Sequence, residues 1–426
     1  MLKFLYNFIL TIIYIPFVIT VFFRKYINKE HKIKFKEKFL FNRNQRPSGY
    51  IFWFHAASIG ELNSIQPIID FYLKKDNKYK FIITTVTLSS YNQFKKKFQN
   101  NERVFHQFLP FDLKILVQNF LNNWSPNLVS FVDSEIWPNF IFEIKKRKLP
   151  FILLNARITK KTFRRWLFLK SFSFKIFNSF SLCIASSEES GRNLKLLNAK
   201  NIKYFGNIKF CVSPEKQTYD DTQFELMKNK KAWVAMSTHE PEESFCLMTH
   251  KLIEKTEKNF VTIIIPRHVN RTKKIYESLK NNNVIVQIKN QNDKINENSN
   301  IVLVNYYGST FKYLNRFKQV FIGKSLIHSL KEVGGQNPIE AAKMGCKIYH
   351  GPYVYNFQEI YNFLNQNKFA DQLEDDLQVS SKTISKKIIE GFNEMDKKNT
   401  TIMNVIDNYS KKIFLKVIEE YERYVQ

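Results

Sequence analysis

Tyr50-Ile-Phe-Trp-Phe-His-Ala-Ala-Ser-Ile-Gly-Glu61 begins as an aromatic and aliphatic run and breaks into small residues. The apolar part, Tyr50–Phe54, reads as a buried strand. Ser58 and Gly60 suit a tight turn, and Leu62 onward reads as a helix. Glu61 therefore falls where a strand ends and a helix begins, the usual address for ligands and chemistry in open α/β sheets. The plainer alternative is a first-turn acid favoured by the helix dipole.

The same rhythm continues outward from this stretch. Lys80–Thr85, Val104–Leu109, Leu128–Val132, Phe151–Asn155, Leu182–Ala185 and Lys203–Phe205 read as strands with helical patterns between them. The rhythm pauses at Val212–Thr222, where Pro214 and polar residues suggest a linker. It resumes with Ala232–Met236, Val261–Ile265, Val284–Ile288, Ile301–Val304, Val320–Ile322 and Lys347–Tyr349. Lys289–Asn300 reads as a surface loop. The last ~50 residues read as helices, with Ile402, Ile406, Tyr409, Ile413 and Val417 at helical spacing. The βαβα order predicts a doubly wound parallel sheet, twice over. Two such halves imply a cleft between them, a default place for small molecules. The expected division is an anchor over 1–25, domains over 26–212 and 213–400, and a C-terminal helix over 401–426.

With 426 residues, 44% of them hydrophobic, the chain is long enough for two sizeable cores. Its net charge of +28 implies an anionic partner: nucleic acid, an acidic membrane surface or a phosphorylated substrate. Cys183, Cys211, Cys246 and Cys346 lack CxxC spacing, so neither a zinc site nor a disulfide framework is indicated. Phe4 to Phe23 holds no charged residue, and roughly 20 apolar residues suffice to span a bilayer. A basic flank follows: Arg24, Lys25, Lys29, Lys32, Lys34, Lys36 and Lys38. The positive-inside rule places that flank in the cytoplasm, with the lysines drawn to anionic headgroups. The expectation is an uncleaved N-terminal anchor, spanning or monotopic, with the catalytic body on the cytoplasmic side of the inner membrane.

Further segments carry chemistry. Ser134-Glu-Ile-Trp-Pro138 follows the strand Leu128–Val132 and puts a second acid, Glu135, at the same sheet edge; Pro138 suits the first turn of a helix. Lys209, in Gly206-Asn-Ile-Lys-Phe210, is a candidate cation, or simply a solvated lysine. Arg267, in Pro266-Arg-His268, can grip a phosphate or carboxylate in bidentate fashion. Gly334-Gly-Gln-Asn-Pro-Ile-Glu340 is a glycine turn opening a helix. There Asn337 can cap, Pro338 fits the first turn, and free N–H groups can meet an anion. Glu340, one turn in, can accept from ribose hydroxyls. Arg157–Lys170 is a basic, aromatic surface stretch suited to lipid headgroups or merely to solvent. Asp220-Asp221 lies in the linker and Asp375-Asp376 in a charged stretch. No metal motif or GxxxxGK[ST] loop is present, so a metal-dependent mechanism is not indicated.

Taken in order, these segments resemble the 3-deoxy-D-manno-octulosonic acid (Kdo) transferases of lipopolysaccharide synthesis. The matching pieces are the N-terminal apolar segment, His55–Glu61, Ser134–Pro138, Ser186-Ser-Glu-Glu-Ser-Gly191, Gly206–Lys209, Pro266–His268, Gly334–Pro338 and His350-Gly-Pro-Tyr353. The resemblance implies an α/β, GT-B-type glycosyltransferase with two Rossmann-like doubly wound domains facing a cleft. It implies CMP-Kdo as donor, the tetraacyldisaccharide lipid A precursor as acceptor, inversion at the anomeric carbon and no cofactor. Carried over by position, Glu61 is the general base, and Glu135 and Lys209 stabilise the transition state. Pro266, Arg267, Tyr307, Gly308, Ser309, Asn337, Pro338, Ile339 and Glu340 match CMP-binding positions. Three residues depart from the pattern: Gln336 stands for the usual His, Lys324 for a second glycine, and Ser309 for a common acid. The rivals are another two-domain glycosyltransferase, a nucleotide-sugar epimerase, and a membrane-tethered nucleic-acid binder. The last requires clustered basic and aromatic residues in a recognised module.

Overall fold

The computed structural model describes residues 2–39, 46–213, 224, 225, 227 and 230–425, without the side chains of 393–399. The chain forms two compact units, Met1–Ser213 with Ser410–Gln426, and Pro214–Tyr409. From residue 214 on, the expected linker, Asp220-Asp221 included, lies outside the described residues.

In the first unit the strands are β1 Tyr50–His55, β2 Tyr79–Thr85, β3 Val104–Phe108, β4 Leu128–Val132, β5 Phe151–Ala156, β6 Leu182–Ala185 and β7 Ile202–Tyr204. All pair in parallel, in the order β3-β2-β1-β4-β5-β6-β7. Alternation along β1 sends successive side chains to opposite faces. Phe52 meets Tyr72 of the helix Ile59–Lys75 at 4.7 Å between ring centroids. Trp53 meets Phe120 at 4.7 Å and Phe140 at 5.4 Å, on the helices Lys114–Trp124 and Pro138–Lys146. Both faces of the sheet are therefore covered, which is why β1 is almost uniformly apolar. The Trp53 indole N–H is satisfied by the Thr84 hydroxyl at 2.9 Å. The order reverses between β1 and β4, and a crevice opens at the carboxyl ends of strands at such a point.

The second unit repeats the design with β8 Lys231–Thr238, β9 Phe260–Pro266, β10 Val286–Lys289, β11 Ile301–Val304, β12 Gln319–Ile322, β13 Lys347–His350 and β14 Ala370–Gln372. Its order is β10-β11-β9-β8-β12-β13-β14, again parallel, with the reversal between β8 and β12. The expected fold class of two doubly wound parallel sheets is what the chain adopts. β14 is the one strand absent from the sequence reading. It is three residues long, lies at the sheet edge and carries Asp371 and Gln372, so it has no apolar run to detect.

The tail is one continuous helix, Leu377–Glu422, and the division between the units falls within it. Ile402, Ile406, Ile413 and Val417 are buried as their spacing predicts, and Tyr409 is partly so. Its far end packs on the first sheet, where the Tyr421 hydroxyl lies 2.9 Å from that of Ser130.

Leu2–Tyr26 is a helix with a mean hydropathy of 2.1 over its best window, long and apolar enough to cross a membrane. One face nevertheless rests on the first unit. The Tyr6 hydroxyl donates to buried Asp112 at 2.7 Å, Asn139 donates to Asn7 at 2.8 Å, and Phe17 stacks on Phe111 at 4.5 Å. Its other face exposes Phe4, Phe8, Ile12, Ile15, Ile19 and Phe23. Tyr6→Phe removes only the hydroxyl, at an expected cost of about 1–2 kcal/mol. Amide exchange across Leu2–Tyr26 should quicken in that variant; unchanged exchange would show that the Tyr6 hydrogen bond does not hold the helix.

Candidate active site

The carboxyl edge of the first sheet gathers three acids at its reversal point. Ser58 caps the helix Ile59–Lys75 and its hydroxyl accepts from the Glu61 N–H at 3.3 Å. Glu61 reaches back, accepting from the Ser58 hydroxyl at 2.8 Å and the Ala57 N–H at 2.7 Å. This Ser-x-x-Glu arrangement is a variant of the capping box, with the glutamate on the N–H of the residue before the cap. The helix therefore starts at Ile59 rather than at Leu62, because Ser58 caps it. Glu61 is 8% exposed and its carboxyl is pushed up to about 7. Burial is the main cause, and the charges of Asp133 and, less strongly, Glu135 add to it against the Ser58 and Ala57 hydrogen bonds.

Glu135 follows β4. Its carboxylate accepts from His55 Nε2 at 3.1 Å and from the Trp137 indole at 2.8 Å. Burial opposes its ionisation, but these contacts outweigh it and hold the group below the usual glutamate range. His55 is fully buried, with Nδ1 3.0 Å from the Thr84 hydroxyl. The same nitrogen lies 3.2 Å from the Thr84 carbonyl oxygen, so the imidazole is held on both sides of the ring.

Lys209 sits in a short 3-10 turn, Ile208–Cys211, capped by Asn207. Its ammonium meets Asp133 at 2.7 Å. Asp133 and His55 were not among the candidate site residues read from the sequence. Each had a visible signal: His55 is the last residue of the opening strand, and Asp133 directly precedes Ser134-Glu135. The structure thus brings Glu61, Glu135 and Lys209 to one sheet edge, with Asp133 in contact with Lys209 and electrostatically coupled to Glu61.

The other candidate residues line the carboxyl edge of the second sheet. Pro266 ends β9, and the Arg267 N–H donates to Thr238 O at 3.2 Å. The Arg267 side chain is exposed and makes no hydrogen bond or ion pair among the described residues. Tyr307, Gly308 and Ser309 follow β11; Tyr307 is 69% exposed and Ser309 is buried. The helix Ile339–Lys343 starts one residue later than expected, with Pro338 at the cap, and the Asn337 side-chain oxygen accepts from the Ile339 N–H at 3.0 Å from just before it. Pro338 and Ile339 are buried, and Glu340 is exposed. This helix has only five residues, so its dipole is small.

Glu242, which the sequence reading passed over, organises this edge. It is fully buried and accepts four backbone N–H bonds, from His239 at 2.9 Å, Lys324 at 2.7 Å, Ser325 at 2.9 Å and Leu326 at 3.1 Å. One carboxylate thereby ties the end of β8 to the end of β12. Lys324 has φ +60°, the left-handed region that suits glycine, so a lysine there carries local strain.

Residues 33–212 match the model of the family described as 3-deoxy-D-manno-octulosonic-acid transferase (kdotransferase). The 3-deoxy-D-manno-octulosonic acid transferase of Rickettsia bellii is 31% identical over 371 residues, covering 87% of each chain. The chain belongs to the Kdo transferase family. The probable mitochondrial member of Arabidopsis thaliana is also 31% identical, over 79% of this chain and 76% of its own. A glycosyltransferase structure from Rickettsia africae shares the fold, with a TM-score of 0.59 at 12% identity over 89% of this chain and all of its own. The protein is accordingly a glycosyltransferase of GT-B type.

Two glycines at the second edge separate close approach from backbone freedom. A Cβ at Gly334 would lie 2.3 Å from the Tyr353 carbonyl oxygen, whereas Gly308, at φ +76°, has nothing within 4 Å. Gly334→Ala should lower the thermal midpoint clearly, because backbone must move, while Gly308→Ala should cost only about 1 kcal/mol of left-handed strain. Equal effects in a melting assay would contradict this distinction.

Proposed function

We propose that the protein transfers Kdo from CMP-Kdo to the tetraacyldisaccharide lipid A precursor, without a metal ion and with inversion, using Glu61 as general base. The observation that carries the proposal is the Glu61 carboxyl, buried beside Asp133 and Glu135 and raised to about 7. A base whose pKa lies near the working pH is both available and strong enough to take a proton.

The step balances with residues at hand. The acceptor hydroxyl gives its proton to Glu61 as its oxygen attacks the anomeric carbon of Kdo. The bond from that carbon to the CMP phosphate breaks, and its electron pair leaves on the phosphate. Glu135, held ionised, is suited to an oxocarbenium-like transition state. Lys209 is a cation suited to stabilising the transition state, and Arg267 is proposed to bind the donor's CMP. Tyr307, Gly308, Ser309, Pro266 and Asn337–Glu340 are proposed to hold the CMP moiety. In this reading the first unit binds the acceptor and the second the donor.

The apolar N-terminal helix supports association with the inner membrane from the cytoplasmic side. Because it lies along the first unit, we favour insertion into the membrane surface over a full span. A span would carry the Tyr6–Asp112 and Asn7–Asn139 hydrogen bonds into hydrocarbon. Exposed Leu167, Phe168 and Leu169, among the basic residues of Arg157–Lys170, suit the same anionic surface.

Detergent-solubilised protein, CMP-Kdo and the lipid precursor, mixed in EDTA and followed by mass spectrometry, should give product heavier by one or more Kdo units. No product beside an active control transferase would contradict the proposal. The rate should rise with pH through about 7, as Glu61 loses its proton, and Glu61→Gln should cost at least ~100-fold.

Glu61 also makes stability depend on pH. Its folded value lies above the ordinary 4.5, so the wild type is favoured while the group stays protonated and loses stability as pH rises from 4.5 through about 7. At pH near 8, Glu61→Gln should therefore be the more stable protein, by on the order of 2–3 kcal/mol, with the gap closing towards pH 5. Parallel melting curves at both pH values would contradict this.

A further inference from the structure

We propose that Asp133 is a positioning residue of the transferase site: anchored by Asn155, its carboxylate aims the Lys209 ammonium and sets a negative charge beside Glu61. The inference rests on the reading of Glu61 as the base and extends it to a residue that the motif Ser134–Pro138 does not include.

The geometry is specific. β4 ends at Val132, and Asp133 then takes a φ of +55°. Asn155, on the adjacent β5, takes +54°, and the β5–β6 pairing shifts register between Leu153 and Ala156. Asp and Asn take left-handed backbone more readily than other residues with a side chain, because their short polar groups hydrogen-bond locally. Here two such residues stand at the carboxyl edge of one sheet.

The two side chains meet directly. Asn155 donates to one Asp133 oxygen at 2.5 Å, and its own side-chain oxygen accepts from the Ile208 N–H at 3.2 Å. Lys209 donates to the other Asp133 oxygen at 2.7 Å. Asp133 and Asn155 thus fasten the turn carrying Lys209 to the ends of β4 and β5. The Lys209 and Asp133 side chains keep 18% and 13% exposure, so the pair stays open to a ligand.

The charged groups around this point are few. Glu61 is faced by Asp133 and Glu135, Asp133 by Lys209, and Glu135 by His55. Arg157 contributes its backbone N–H to the Asp133 carbonyl at 3.1 Å. When Glu61 takes the acceptor's proton, the cluster loses one of three negative charges, and repulsion from Asp133 is relieved in the same step. Such a contribution is larger in the transition state than in the ground state, so it acts on turnover more than on donor binding.

The test uses the full-length chain in the transfer assay across about pH 5 to 9, spanning both limbs of the rate profile. Asp133→Asn keeps shape and removes charge. It should move the acid limb of kcat/KM below about 7 and cut kcat at pH 8 by ~10-fold or more, with KM for CMP-Kdo near that of the wild type. Asn155→Ala removes the anchor but keeps the charge. It should lower kcat while leaving the acid limb in place, which also decides the matter if Asp133→Asn folds poorly. A wild-type profile in both variants would overturn the role of Asp133. Wild-type turnover in Glu61→Gln would instead overturn the reading of Glu61 on which it rests.

Discussion

Three carboxyl groups, Glu61, Asp133 and Glu135, stand together at the carboxyl edge of one parallel sheet, where apolar packing limits their hydration. Like charges in such a place cannot all ionise at ordinary cost. The structure resolves the conflict unequally. Glu135 is given His55 and Trp137 as donors, Asp133 is given Lys209 and Asn155, and Glu61 receives only a hydroxyl and one backbone N–H. The group with the weakest support is the one left proton-hungry. Acid and base roles separate in enzymes when the environments of neighbouring titratable groups are pushed apart in this way.

Much of the fold depends on producing that juxtaposition. Strand order reverses between β1 and β4, so the turns after these strands lead away to different helices and leave space between them. The second unit uses its reversal point differently. There Glu242 spans the ends of β8 and β12 with four backbone hydrogen bonds, and Arg267 and Tyr307 are exposed. The first edge concentrates acid around Lys209, and the second presents Arg267 and backbone turns.

The sequence was most legible where burial dictates composition. β4, β6 and β11 have the predicted ends, because an apolar run bounded by polar residues defines a buried strand. β14 was illegible because a three-residue edge strand needs no such run. Glu61, Glu135 and Lys209 were legible as acids and a cation at strand ends, and the family resemblance supplied their roles. Asp133 and Glu242 were not singled out, because their importance lies in partners distant along the chain: Lys209, Asn155, and the N–H groups after β12. The left-handed backbone of Asp133, Asn155 and Lys324 is likewise invisible to periodicity. The N-terminal helix was read from hydropathy, but its hydrogen bonds to the body through Tyr6 and Asn7 were not.

The central claim is that Glu61 holds its proton near neutral pH because of where the fold places it. Difference infrared spectroscopy measures this directly, by following the protonated-carboxyl stretch of the wild type minus that of Glu61→Gln through a pH titration. The account predicts a band, present only in the wild type, that disappears with a midpoint near 7. A band that disappears near the ordinary 4.5 would contradict it, since Glu61 would then be an unperturbed helix cap.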